Sequence, residues 1–373
     1  MRVPFLDLVA QYNETKTATD SAVAEIFATG RYVLGQHNQA LEQGLAQLHG
    51  MKHGIAVNSG TDALRIAMQA CDIGPGDEVV TTAFTFVASV EVIVQLGATP
   101  VFVDIDPETF QMDPSLLFGA LTARTKGILP IHLFGQLAPM EPIAKFATEH
   151  GLTLFEDAAQ AVGSHKGDAY AGSWGKASGL SFYATKNLGA AGDGGMVLTD
   201  DDEVAERSRS LRVHGMGRER YYYDDIGYTS RMAEIQAAVL CARLARLEDW
   251  TEKRRALAEV YAEELADSSV VLPTTLDGNY HTYHQFTIRC NEREAVMAHL
   301  KANEVDSAIY YPVPIHLHSP YERFGHGAGS LPVTEEISQT CLSLPIHPHL
   351  SVEQVRFAAK AVREGSVIAA GIA

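Results

Sequence analysis

Long apolar runs are missing from this chain. Its most hydrophobic stretch, 83–96, carries Glu91 and is too short to span a bilayer, so no transmembrane helix is expected. Basic residues are few: 29 Lys and Arg stand against 46 Asp and Glu, a net charge of −17 over 373 residues. A field of that sign repels phosphate backbones and anionic lipid, which argues against nucleic acid and membrane as partners. A local basic pocket for a small anion is compatible with it, because net charge says little about one site. Cysteine is scarce. The four residues Cys71, Cys241, Cys290 and Cys341 have no metal-like spacing and read as thiols of a reducing cytosol. His316 and His318 lack an acid or cysteine that would complete a ligand set, so no metal is expected. There is no repeat, no low-complexity tract and no Gly-x-Gly-x-x-Gly turn after the first strand, which argues against an NAD-binding oxidoreductase. The opening MRVPFLDLVAQYNETK has acids and amides where a secretory signal needs an apolar run, and a cytoplasmic location follows as the expectation.

What is present is an ordinary globular balance, with 46% hydrophobic and 20% charged residues, on a chain long enough for a sizeable core. From about residue 54 to 200 short apolar runs alternate with helical patterns. The spacing predicts strands at 78–82, 99–103, 127–132, 152–155, 180–183 and 196–199, and helices at 86–96 and 140–150. Such alternation implies an α/β fold with a mostly parallel sheet covered on both faces, and ligands at the carboxyl ends of its strands. After about residue 230 the pattern changes. One long helix or two nearly continuous ones run over 232–260. A strand at 284–289, a helix at 294–303, a Pro- and His-rich loop at 310–321 and a last helix at 352–363 suggest a smaller α+β unit.

Three segments carry candidate chemistry. Asn58-Ser59-Gly60-Thr61 lies between a strand-like run and an apolar helix. Free amides at such a helix start bind phosphate, with Gly60 allowing close approach; an ordinary N-cap by Ser59 or Thr61 is the alternative. Glu156-Asp157 directly follows a buried-looking strand, where acids are costly without partners. An acid there could hold a cationic ring nitrogen, or Asp157 could cap a helix. Lys186 leaves a strand end and enters a glycine-rich loop. A lysine drawn toward a buried sheet terminus becomes a usable amine, although most lysines are solvated surface charges.

Taken together and in this chain order, these segments resemble the site of a fold-type-I pyridoxal-phosphate aminotransferase. The resemblance is closer still to the DegT/DnrJ/EryC1/StrS sugar aminotransferases. It is carried by VNSGTDAL (57–64), TFVASVEVIVQLGATPVFVDID (85–106), EDAAQAVGS (156–164), SFYATKNLGAAGDGGMVLTDD (181–201), SRMAEIQAA (230–238) and LSLPIHP (342–348), with PFLDL and RYVLG near the start. It implies a large cofactor domain, 1–240 with its N-terminal helix, built on a mostly parallel seven-stranded sheet between helices. A smaller C-terminal α+β domain, 241–373, would follow.

The resemblance also implies roles. Lys186 would form the internal aldimine with pyridoxal 5'-phosphate and later move the proton between the sugar carbon and the cofactor. Asp157 would pair with the protonated ring nitrogen, and Gln160 would approach the ring's 3-oxygen. Phe86 would lie over the ring face; Gly60, Thr61 and Ser181 would hold the phosphate. Active sites in this family form between two subunits of a homodimer, so the segment 227–231 would come from the partner. Thr229 stands where the family usually has an asparagine that reaches the phosphate; a hydroxyl can still bond a phosphate, but its reach is shorter. Arg231 would serve a substrate carboxylate or phosphate, or be a structural arginine at a helix start. Tyr311 and His316 are candidates for sugar contacts. A lysine at the Schiff-base position argues against the family's dehydratase branch, and Lys-Asn-Leu-Gly-Ala-x-Gly-Asp-Gly-Gly resembles the branch that aminates C3. The expected reaction is ping-pong transfer of an amino group from glutamate, by way of pyridoxamine 5'-phosphate, to C3 of a nucleotide-linked keto sugar such as a dTDP- or UDP-3-keto hexose. The alternatives are C4 amination of a 4-keto sugar, amination of a keto-cyclitol, or a non-catalytic regulator built on the same fold.

Overall fold

The computed structural model describes residues 1–324 and 327–369. Two helices open the chain, α1 (Leu8–Thr29) and α2 (Gln36–Leu48). An alternating region follows: β1 (His53–Val57), α3 (Gly60–Ala70), β2 (Glu78–Thr82), α4 (Ala88–Gln95), β3 (Thr99–Val103), β4 (Thr125–Ile128), α5 (Met140–Glu149) and β5 (Thr153–Asp157). The short strands β6 (His165–Lys166) and β7 (Ala169–Tyr170) precede β8 (Ala177–Ser181), β9 (Gly195–Thr199) and α6 (Asp202–Leu211). Then come α7 (Glu234–Leu244), α8 (Leu247–Leu265), β10 (Asn279–Tyr280), β11 (Phe286–Arg289), α9 (Arg293–Ala302), α10 (Pro332–Thr340), β12 (Cys341–Leu344) and α11 (Val352–Ala369).

The main sheet has seven strands in the order β1-β9-β8-β5-β4-β2-β3. β2, β3, β4, β5 and β8 pair in parallel, while β9 runs antiparallel to both its neighbours. Alternate residues of each strand feed opposite faces, as the two-residue period requires. Ala56, Leu154, Leu180, Met196 and Leu198 enter one core with α2, α5 and α7. Ile55, Val57, Phe155, Ala177 and Val197 enter the other with α3 and α6. β2, β8 and β9 are buried along their whole length, so none of them shows the apolar–polar alternation of a half-exposed strand.

A further core is built from Leu257 and Tyr261 of α8, Phe286 and Ile288 of β11, Leu342 and Leu344 of β12, and Val355 of α11. Val3, from the other end of the chain, belongs to it through a parallel bridge to Val305. Of the two readings for 232–260, the structure has the two nearly continuous helices, parted at 245–246. No helix among the described residues is long and apolar enough to cross a membrane.

Candidate active site

The carboxyl ends of β1, β2, β5 and β8 meet the start of the antiparallel β9 around a cavity of about 720 Å³. Gly60, Thr61, Phe86, Asp157, Gln160, Ser181, Lys186 and Tyr311, all singled out from the sequence, line it.

The first wall is the start of α3. Ser59 Oγ caps the helix by accepting from the Asp62 amide at 3.1 Å. The amides of Gly60 and Thr61 lie in the first turn, where no intrahelical acceptor exists, and such a terminus attracts anions. The cap therefore leaves the Gly60 and Thr61 amides available to an anion. Gly60 is required by close packing: a Cβ there would stand 2.6 Å from Ser181 Cβ. The end of β8 thus abuts the helix start and brings the Ser181 hydroxyl beside these amides.

The acids ending β5 diverge. Glu156 is fully buried beneath the sheet end, where its carboxylate accepts from the amides of Gly172, Trp174 and Gly175, each at 2.7 Å. His132 Nε2 lies 2.8 Å from it. The Ala138 amide donates to His132 Nδ1, so the imidazole proton sits on Nε2 and points at Glu156. Asp157, one residue on, faces the cavity. Its Oδ1 accepts from the Ala159 amide at 3.0 Å, and its Oδ2 from Ser89 Oγ at 2.6 Å.

Lys186 stands on the connection between β8 and β9. A tight turn holds it, with its own amide donating to the Tyr183 carbonyl at 2.8 Å. Gly189 closes that turn, since a Cβ there would meet the Ala184 carbonyl oxygen at 2.3 Å. The amine opens into the cavity rather than into bulk water. Burial lowers its pKa from 10.5 to about 8, and the nearby Asp157 carboxylate opposes that fall.

The remaining wall mixes aromatic and polar groups. Phe86 is 55% exposed and its ring centre is 6.4 Å from that of Tyr311. Gln160 Oε1 accepts from the Phe134 amide at 2.8 Å, and its Nε2 donates to Tyr311 Oη at 3.1 Å. Burial raises the Tyr311 pKa, so its hydroxyl stays protonated. His284 and Gln285, at the start of β11, complete the lining. They were not among the residues picked out from the sequence. Asn187 Nδ2 donates to the Thr282 carbonyl at 3.0 Å, which turns its oxygen toward His284 Nδ1 at 3.2 Å. His284 is therefore the Nδ1–H tautomer. Burial, with Lys186 and Arg254 nearby, holds it neutral well below its usual pKa.

One expected residue, His316, is not brought to this cavity, and Thr229 and Arg231, expected from a partner subunit, lie outside the lining of their own chain's cavity. His316 is 1% exposed, packs near Phe102 and lies 3.2 Å from Glu335. It is a core histidine, not a cavity-facing one. Thr229 is exposed and bonds His214 at 3.1 Å. Arg231 lies on the same segment, outside the cavity lining of its own chain. Among the described residues no group of three or more His, Cys, Asp or Glu is arranged for a metal.

The donor set suits pyridoxal phosphate on physical grounds. First-turn amides with an adjacent hydroxyl suit its phosphate, a buried carboxylate suits its ring nitrogen, an uncovered aromatic face suits its ring, and an amine of lowered pKa suits its aldehyde. Comparison with known proteins agrees. A Geobacillus stearothermophilus chain described as a pleiotropic regulatory protein is 45% identical over 98% of both chains. The UDP-N-acetyl-3-dehydro-alpha-D-glucosamine 3-aminotransferase of Acidithiobacillus ferrooxidans is 42% identical over 97% of both. The crystal structure of S. venezuelae DesV in complex with a ketimine intermediate superposes with a TM-score of 0.95, at 42% identity and 98% coverage of both chains. The model of the DegT/DnrJ/EryC1/StrS aminotransferase family matches residues 13–363, and with the fold and the cavity it fixes the conclusion that the chain belongs to that family of pyridoxal-phosphate enzymes.

Proposed function

We propose that this enzyme moves an amino group from glutamate to C3 of a nucleotide-linked keto sugar, a dTDP- or UDP-3-keto hexose. The observation that carries the reading is the convergence of Lys186 and Asp157 on one cavity at the carboxyl ends of the sheet. Pyridoxal phosphate supplies the electron sink that makes the carbon bearing nitrogen acidic. The chain's own groups do the rest. Gly60, Thr61 and Ser181 hold the phosphate. Asp157 would keep the ring nitrogen protonated, Phe86 would cover one ring face, and Gln160 would orient the ring's oxygen edge. Lys186, with its pKa lowered to about 8, accepts and returns a proton near neutral pH at Nζ. Tyr311 faces the sugar.

Among the described residues no arginine lines the cavity, although both the amino donor and the nucleotide diphosphate are anions. This supports a homodimer in which Thr229 and Arg231 of one subunit serve the other's site. Mixing Lys186→Ala with Arg231→Ala tests it. In a two-fold dimer the hybrid keeps one intact site, so a 1:1 mixture recovers about a quarter of wild-type activity. No recovery from two inactive parents removes the shared site.

We also propose a division of the chain near residue 240 into cofactor and C-terminal units, with Val3 joining the latter's core, and a cytoplasmic location, in keeping with four free cysteines. The test of the reaction is an absorbance spectrum before and after glutamate, followed by NMR of the product sugar. Amination at C4 instead of C3 overturns the regiochemistry. Cofactor binding without turnover favours the regulator reading, which the description of the Geobacillus stearothermophilus relative keeps in view.

A further inference from the structure

Ser89 is buried beside the site, yet nothing above gives it a task. It stands in the first turn of α4 and is 1% exposed, as is Thr85. It does not cap the helix: Val87 occupies the N-cap and no side chain bonds there. Its hydroxyl has three neighbours: Asp157 Oδ2 at 2.6 Å, Thr85 Oγ1 at 2.9 Å and the Phe86 carbonyl at 3.2 Å. A hydroxyl has one proton to give. The short bond to an anionic oxygen outcompetes the long one to a neutral carbonyl, so the proton lies on the line to Asp157. The Ser89 oxygen then accepts, and Thr85 is its donor. Two hydroxyls in series thus point at one carboxylate oxygen, while the Ala159 amide serves the other at 3.0 Å. Each bond in such a chain polarises the next.

We propose that Ser89, backed by Thr85, is a positioning residue that fixes the Asp157 carboxylate, so that the proton shared with the cofactor stays on the ring nitrogen. This rests on the reading that Asp157 meets that nitrogen. A carboxylate already receiving hydrogen bonds binds a further proton less tightly. Without Ser89 the carboxylate loses the donor at its Oδ2 and is free to turn, the shared proton is held less firmly on the ring nitrogen, the ring draws electrons less strongly, and the nitrogen joined to Lys186 becomes more basic.

The experiment is a pH titration of the visible absorbance band of the lysine-bound cofactor in the holoenzyme, for wild type, Ser89→Ala, Thr85→Val and Asp157→Asn. Ser89→Ala is expected to raise the midpoint by up to about one pH unit, the ceiling being the shift that one hydrogen bond produces in the charged group that receives it, since the titrating nitrogen feels the loss only through the ring. Thr85→Val keeps the side-chain shape, leaves Asp157 untouched, and is expected to move the midpoint the same way by less. A hydroxyl with a merely structural role would lower thermal stability and leave the midpoint alone. If Asp157→Asn moves the midpoint while Ser89→Ala and Thr85→Val do not, the inference is overturned and the reading of Asp157 stands. If Asp157→Asn also leaves it in place, that reading fails and takes the inference with it. Cofactor affinity, followed by fluorescence on titrating the apoprotein, is the second readout; a few-fold weakening in Ser89→Ala is expected.

Discussion

Lys186 should behave as an amine even without its cofactor. Burial lowers its pKa from 10.5 to about 8, so at neutral pH the fraction in the neutral form rises about 300-fold, from 10 raised to the difference of 2.5. The perturbation is Asp157→Asn in the apoprotein. Burial pulls the pKa down and the Asp157 anion pushes it up, so removing that charge carries the midpoint below 8. The assay is reductive methylation with 13C-formaldehyde followed by NMR titration, with the Lys186 resonance assigned by its absence in Lys186→Arg. The shift also bears on stability, by about 3 kcal/mol. Because this pKa is depressed on folding, the unfolded chain holds the proton up to about 10.5 while the folded chain releases it near 8. Apoprotein stability is lowered by that amount below pH 8 and climbs as pH rises from 8 toward 10.5. A Lys186 midpoint near 10.5, or one that rises in Asp157→Asn, refutes the reasoning.

Glu156→Gln would place an amide NH₂ among three backbone donors and an imidazole N–H, and is expected to destabilise the fold by about 2–4 kcal/mol. An unchanged thermal midpoint would count against that network. Gly60→Ala drives a methyl to 2.6 Å from Ser181 Cβ and should weaken cofactor binding at least ~10-fold by opening the phosphate wall; titration of the apoprotein measures it. His316→Ala should lower thermal stability by about 1–3 kcal/mol while leaving KM for the sugar unchanged, because that side chain does not line the cavity. A raised KM with unchanged stability would return His316 to the sugar.

The parallel strands were readable because buried β-branched runs between glycine turns have few other uses. β2 at Glu78–Thr82 and β3 at Thr99–Val103 match their predicted limits. β8 does not: read as 180–183, it is Ala177–Ser181. Its Ala-Ser-Gly start has weak strand character, and its small residues are there because α3 packs on them, with Leu64 against Gly179. α6 and β12 were missed for opposite reasons. α6 is dominated by charges, and β12 is a four-residue strand stabilised by its antiparallel partner β11. At the site, residues with local signals were legible. His284 was not, since its partner Asn187 lies 97 residues earlier in the chain. His316 misled in the other direction: a Pro- and His-rich loop suggests a surface that meets substrate, but this histidine is folded inward onto Phe102 and Glu335.

The reversed strand β9 has a mechanical consequence. Crossovers between parallel neighbours travel through helices on the outside of the sheet, but β8 and β9 are adjacent and antiparallel, so the thirteen residues 182–194 between them leave and re-enter the sheet side by side. Lys186 is therefore mounted on a short span clamped at both feet. The opposite wall, with His284, Gln285 and Tyr311, hangs from the more distant C-terminal part of the chain. One cavity thus draws its walls from both halves of the chain, and the two are laced together, Tyr311 to Gln160 and His284 to Asn187, so a substitution on the far wall is felt at the span that carries Lys186.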